Sequence, residues 1–413
     1  MIKEFDGTLI RNEDDTNGNE DIEIVGLEVN ANGHNGFTIR MVGVKRLKIT
    51  GCKLVNANQS SAVDDIAISV CGIPTGPVYA EDIWIENNYI EGFAYKGIAV
   101  GNYVKNAWVE NNTVKNTRYL DTEYPSDGIY VWNPNGERIH VVDNKVVHSE
   151  FRALFIYGKA IDVRGNHLIE SGDYLIWVEG GEHITIRDNY LYGGGILAGY
   201  GFSLDVKQGK HIVIEGNKIE KSYGHGLELG HHIGDVSGAA YIEDVIIRNN
   251  IIINPNEANT DYYHGIYVTT ENKSDAYIRH VEIVGNVIRD VRDTHQMVCG
   301  ICFPSQTGGS RDDILIKDNI IEGYTGDAIR ILNPTTLRVK SDVAIFSGDG
   351  STTQFKVEHG LAKAPSKIIV TPLSPDAKDF AYAEADDTYI YFNFSTAPPS
   401  GTDNVKLAWY AEV

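Results

Sequence analysis

No run of 18 apolar residues occurs in this 413-residue chain, so it offers no transmembrane helix. The opening residues, Met1 to Asp6, lack the apolar core of a signal peptide. The repeat described below begins almost at once, near Ile22, and the chain therefore reads as a domain cut from a larger protein. Positive charge is scarce: 36 Lys and Arg against 57 Asp and Glu leave a net charge of −21. That balance excludes nucleic acid, whose binding needs a basic stripe, and disfavours an anionic membrane surface. An anionic polysaccharide would need a local basic patch or a metal ion. Four cysteines make no disulfide framework. Cys299 and Cys302 have C-x-x-C spacing, but inside a strand, residues three apart point to opposite faces, so neither redox chemistry nor a metal site is expected of them.

A repeat is present in place of these features. The pattern apolar-x-apolar-x-x-Asn-x-apolar reads Ile83-Trp84-Ile85-Glu86-Asn87-Asn88-Tyr89-Ile90 and returns with its Asn at 112, 144, 166, 189, 217, 250, 286 and 319. Two degenerate copies place Leu27 and Cys52 in the Asn slot. Successive Asn lie 22 to 36 residues apart, a spacing that marks a solenoid. The runs alternate with period two, so the units are strands rather than helices. The shortest spacing is one coil, and longer spacings carry loops. Stacked Asn are expected to bond one another coil to coil and to tolerate left-handed backbone at the corners.

A second strand follows in each coil. Ile98, Ile129, Leu154, Ile176, Phe202, Leu227, Ile266, Ile301 and Ile329 are expected to form its interior ladder. The sequence thus predicts an all-β chain: a right-handed parallel β-helix of about eleven coils over 1–333, ~50 Å long. A linker over 334–341 and a small β-sandwich or barrel over 342–413 follow, the latter with strands at 342–346, 353–358, 367–373, 380–394 and 404–412.

Stretches such as IWIENNYIEG, GIYVWN and IHVVDNKVV resemble the parallel β-helix repeats of the pectate lyase superfamily over about residues 20–333. The resemblance implies the fold; the superfamily spans lyases, hydrolases, epimerases, tailspikes and non-catalytic binders, so it leaves the reaction open. The run from Gly348 to Val413 is similar to small β-domains of phage tail fibres. Such modules cap the solenoid, bind carbohydrate or aid oligomerisation.

Outward residues of the second strand would stack in columns. One is expected to run Tyr130, Phe155, Trp177, Ser203, Glu228, Tyr267, Cys302, Arg330, and the next Trp132, Tyr157, Glu179, Asp205. A line of aromatics beside carboxylates suits sugar rings, whose CH faces stack while their hydroxyls bond acids; inserted loops covering the aromatics as a satellite core are the other reading. Glu179 and Asp205 are expected as neighbours about 5 Å apart, with Glu228 diagonal to Asp205 at about 8 Å, a spacing of glycosidase acids. These three are the candidate catalytic groups. Tyr130, Trp132, Phe155, Tyr157, Trp177, His225, His231, Tyr267 and Arg330 are the candidate glycan contacts. Gly224-His225-Gly226 is similar to one motif of the polygalacturonase family, in which the His sits at the active site; that family's Asn-Thr-Asp and Asp-Asp motifs are missing.

No cofactor is expected. Asp64-Asp65 and Asp312-Asp313 offer Ca²⁺ a place, though solvated turn acids explain them too. The expected function is a polysaccharide-binding and polysaccharide-cleaving β-helix, extracellular or on a virion surface, monomeric or homotrimeric. A non-catalytic adhesive rod and a polysaccharide lyase are the alternatives.

Overall fold

The computed structural model describes residues 8–14, 16–31, 36–56, 65–75, 78–117, 126–196, 199, 201–230, 232–332 and 335–413. His231 and Asp64 lie outside the described residues. Each coil contributes strands to rows that pair in parallel with the coils before and after. One row is a sheet of eleven short strands, from Glu28–Asn30 to Ile320–Glu322, which gives the eleven coils. The other two rows fuse in the middle of the rod, where Asp127–Val142, Arg152–Arg164 and Ile176–Arg187 run unbroken through two faces. Strand, crossover and parallel strand on this twist close right-handedly.

The interior is aliphatic. Ile68, Ile98, Ile129, Leu154, Ile176, Leu204, Leu227, Ile266 and Ile301 are directly paired rungs, all fully buried. Leu204 takes the rung predicted for Phe202. Phe202 packs outside the coil interior, buried against Tyr174, His225 and Tyr263, its ring so close to Gly224 that a Cβ there would meet it at 2.4 Å. Ile329 occupies its predicted rung but is 42% exposed, because no further coil covers it.

At one corner the Asn side chains form a continuous ladder. Each Nδ2 from Asn88 to Asn286 donates to the Oδ1 of the next Asn at 2.9–3.0 Å, and the backbone N–H of each donates to the same oxygen. Each Nδ2 also donates to a backbone carbonyl of the preceding coil, as Asn166 does to Val141 at 2.8 Å. Cys52, in the degenerate slot, keeps the pattern by donating its N–H to Asn88. The left-handed backbone falls one residue earlier than expected, at Asn87, Asn111, Asp143, Gly165, Asp188, Gly216, Asn249, Gly285 and Asp318. Those positions hold Asn, Asp or Gly, the residues that tolerate φ near +55°.

Beyond the last coil, Thr335–Leu337 still pairs in parallel with Ser310–Lys317, and Val339–Gly348 begins an antiparallel sheet. Residues 335–341 are therefore mostly paired strand rather than linker. Two three-stranded antiparallel sheets follow, with Phe346 of one stacked on Phe355 of the other at 4.9 Å. This small sandwich does not close the whole solenoid end, since Leu332 stays 43% exposed beside Ile329.

Candidate functional site

The outer face of the second strand row carries the column Tyr130, Phe155, Trp177, Asp205, Glu228, Tyr267, Cys302, Arg330 in direct register. This corrects the expected arrangement at two points. Ser203 is not in the column; because the strand starts at Leu204, Asp205 stands there instead, and Ser203 bonds Ser222 beneath a loop. Glu179 is not opposite Asp205 either. A register shift after Ile156 pairs Tyr157 with Gly180, so Glu179 sits in a bulge and pairs with Lys207 at 3.2 Å. Asp205 and Glu228, expected as diagonal neighbours, are therefore directly opposed on adjacent coils, ~5 Å apart at Cα.

Loops fold over this column, so the satellite-core reading applies to much of it. Phe155, Asp205, Glu228, Tyr267 and Cys302 are buried. Tyr130 stacks on Phe155 at 4.7 Å, and His232 stacks on Trp177 at 5.9 Å. Trp132 is 41% exposed and Tyr157 half-buried. His225 is wholly buried, stacked on Tyr267 at 4.3 Å, and is a packing residue rather than an exposed sugar contact. Its Nδ1 accepts the His264 N–H at 2.9 Å, which puts the imidazole proton on Nε2, 3.7 Å from the Glu228 carboxyl. Arg330 lies three rungs beyond Glu228 and pairs with Asp327.

The acids are held out of water. Neither Asp205 oxygen has a hydrogen-bond partner among the described residues. Burial, then the charges of Glu228, Asp173, Glu271 and Glu179, pushes the Asp205 carboxyl well above the usual carboxylate range. Burial and the Glu271 charge push Glu228 the same way. Both shifts favour the protonated forms of the pair.

Glu228 opens onto a cleft of about 300 Å³ lined also by Phe202, Tyr262, Tyr263, Tyr267, Thr269 and Glu271. Glu271, half-buried, had no signature in the sequence because it lies on a loop outside the repeat. It is held in left-handed backbone (φ 48°), with its N–H on the Thr269 hydroxyl at 3.0 Å and its carboxylate accepting the Gly234 N–H at 3.1 Å. Asn272 beside it is also left-handed (φ 59°), as at many turns of this fold. Tyr262, 53% exposed, and Tyr263 were likewise missed, being loop residues without period.

Three of the four acids that offer Ca²⁺ a place are among the described residues. Asp65 is buried and accepts the Ala94 N–H at 2.5 Å, while Asp313 bonds Arg338 and Asp312 accepts from Thr336. Cys299 and Cys302 do not point apart. Cys299 precedes the strand Ile301–Phe303, and its irregular backbone turns both thiols into one buried cluster.

Burial pushes Asp173, behind the acid pair, up to about 8. An acid with a raised folded-state value costs stability as pH rises from its unfolded value, 3.8, towards the folded one. Asp173→Asn should therefore be more stable than the parent above pH ~5, by on the order of 5 kcal/mol at pH 8, and equal to it at pH 3. Equal urea midpoints for the two proteins at pH 8 would show that Asp173 is ionised without cost.

The right handed beta helix region family model matches residues 127–303, the coils that carry this column. The fold is a right-handed parallel β-helix. Among solved structures, the β-helix resembles the Dettilon tailspike protein gp208, with 11% identity, TM-score 0.55, and 99% of this chain and 88% of that chain covered. It also resembles the tailspike of E. coli bacteriophage HK620 in complex with a pentasaccharide, with 10% identity, TM-score 0.48, and coverage of 95% and 83%. An alginate lyase from Paenibacillus gives 11% identity, TM-score 0.40, and coverage of 75% and 98%. No curated protein sequence matches the chain. No helix of the described residues is long and apolar enough to cross a membrane.

Proposed function

We propose that this β-helix binds a glycan in the cleft at Glu228 and hydrolyses it. The observation that carries the reading is a buried, proton-holding carboxyl pair, Asp205 and Glu228, whose outer member opens onto an aromatic cleft that Glu271 also lines. Glu228 is the general acid that protonates the leaving glycosidic oxygen. Glu271 is the carboxylate that activates water or attacks the sugar, and Asp205 sits opposite Glu228 on the preceding coil, where the Glu228 charge helps to keep Asp205 protonated. Glu179, tied to Lys207, acts only through its charge. Tyr262 and Tyr263 offer ring faces to the sugar.

Hydrolysis is favoured over elimination because none of the described residues lining the cleft is Lys or Arg. A uronate carboxylate would meet Glu228 and Glu271 without a counter-charge, so a neutral or amino sugar suits the site better. The likeness in fold to the Dettilon tailspike supports a place outside the cell or on a virion.

The test is incubation with neutral, amino-sugar and uronate polysaccharides, following reducing ends and the absorbance of unsaturated products. New reducing ends without absorbance are expected. Absorbance would indicate a lyase, and binding without products an adhesive module. With a cleaved substrate in hand, Tyr262→Ala should raise KM about tenfold and leave kcat within about twofold, the loss of one stacking face. An unchanged KM would place the sugar elsewhere.

A further inference from the structure

The two thiols of Cys-Gly-Ile-Cys were expected on opposite faces, yet the fold brings them together with a histidine of the preceding coil. One imidazole nitrogen of His264 and the Sγ atoms of Cys299 and Cys302 all lie within 4.8 Å of one another, and all three side chains are buried. We propose that His264, Cys299 and Cys302 bind a thiophilic metal ion of the zinc type.

The donor set is soft, two sulfurs and one imidazole, which selects such an ion over Ca²⁺ or Mg²⁺. Tetrahedral zinc with Zn–S of ~2.3 Å and Zn–N of ~2.0 Å holds its donors roughly 3.5–3.8 Å apart, so closure needs movements of no more than about 1 Å. Two thiolates neutralise the ion's charge, which suits a buried position.

The surroundings are already ordered for it. Gly265 donates its N–H to the Cys299 carbonyl at 3.0 Å, while the bond from the Cys299 N–H to His264 Nδ1, 3.2 Å long, gives way when the ion takes that nitrogen's lone pair. Tyr267, Val298, Cys299 and Cys302 form a packed patch on the outer face, separate from the main core. The site joins two coils, with His264 before the strand Ile266–Val268 and the cysteines around Ile301–Phe303. His264 stacks on Tyr267 and His225 at 5.3 Å each, so a bound ion braces the wall that backs Glu228. Water completes the ion's fourth position, and binding is coupled to stability.

The experiment uses the whole chain, reduced and kept free of oxygen. After incubation with zinc and desalting, metal analysis should find one ion per chain, and excess zinc should raise the melting temperature by at least about 5 °C. Cobalt(II) in its place should give a thiolate-to-cobalt charge-transfer band. His264→Gln and Cys302→Ser, checked for β-structure by circular dichroism, should lose the band and the thermal shift. Should either variant fail to fold, the stoichiometry and band of the parent protein decide alone. Less than half an ion per chain with both thiols free overturns the proposal. So does a Cys299–Cys302 disulfide whose reduction still yields no binding, or a band that survives His264→Gln.

Discussion

Glu228→Gln should lower kcat by ~10³-fold on the cleaved glycan while KM changes by less than about threefold. The reasoning is electrostatic. Glu228 is buried, beside Asp205 and under the field of Glu271, so its protonated form is the stable one. The amide has the same shape as that neutral acid but cannot give up a proton to the leaving oxygen. Binding and fold are therefore kept while the chemistry is lost, and the melting temperature at pH 7 should not fall. Glu179→Gln, by contrast, touches a bulge residue paired with Lys207 and should cost less than about threefold. Glu271→Gln should abolish turnover as deeply as Glu228→Gln, and in any residual activity the alkaline limb of the pH profile should move to lower pH, because the charge that raises Glu228 is gone. Steady-state kinetics with the three variants checks this. Full activity in Glu228→Gln would remove the proposed acid and with it the hydrolytic reading.

The second large effect is structural. Asn166→Ala should destabilise the β-helix by ~4 kcal/mol. The Asn166 side chain makes five hydrogen bonds. Its Oδ1 accepts from the N–H and Nδ2 of Asn144, and its Nδ2 donates to the carbonyls of Val141 and Arg164 and to the Oδ1 of Asn189. Truncation removes the partner of the Asn144 N–H and of the Val141 carbonyl, two buried groups that then cost ~1–3 kcal/mol each. Because a solenoid is coupled only through neighbours, a fault in the middle uncouples the two halves. Asn319→Ala, in the partly exposed last coil, should cost less than half as much, since among the described residues its side chain bonds Asn286 and the Ile283 carbonyl alone. Urea unfolding of both variants measures this. Equal midpoints for Asn166→Ala and the parent would mean that the amides exchange protein for water without cost.

The sequence by itself determined the coil count, the Asn ladder and nearly every interior rung. These follow from short-range rules: alternation with period two, a corner residue of one type, and a repeat length set by one turn of the solenoid. Only the tertiary structure decided the site. A slip of two residues keeps every side chain on its expected face, so the pattern of apolar residues could not tell whether Phe202 or Leu204 takes the rung inside. Packing against Gly224 and the aliphatic interior chose Leu204, and that choice set Asp205 directly against Glu228. The bulge after Ile156 displaced Glu179 by the same kind of long-range adjustment. Glu271, Tyr262 and Tyr263 come from loops whose sequences carry no period, and their convergence on one cleft depends on contacts between coils. The thiols of Cys299 and Cys302 met for the same reason: strand geometry governs residues inside a strand, and Cys299 lies just before one. Local alternation and repetition are written along the chain, whereas register between coils and the paths of inserted loops are settled by packing among residues 20 to 40 positions apart.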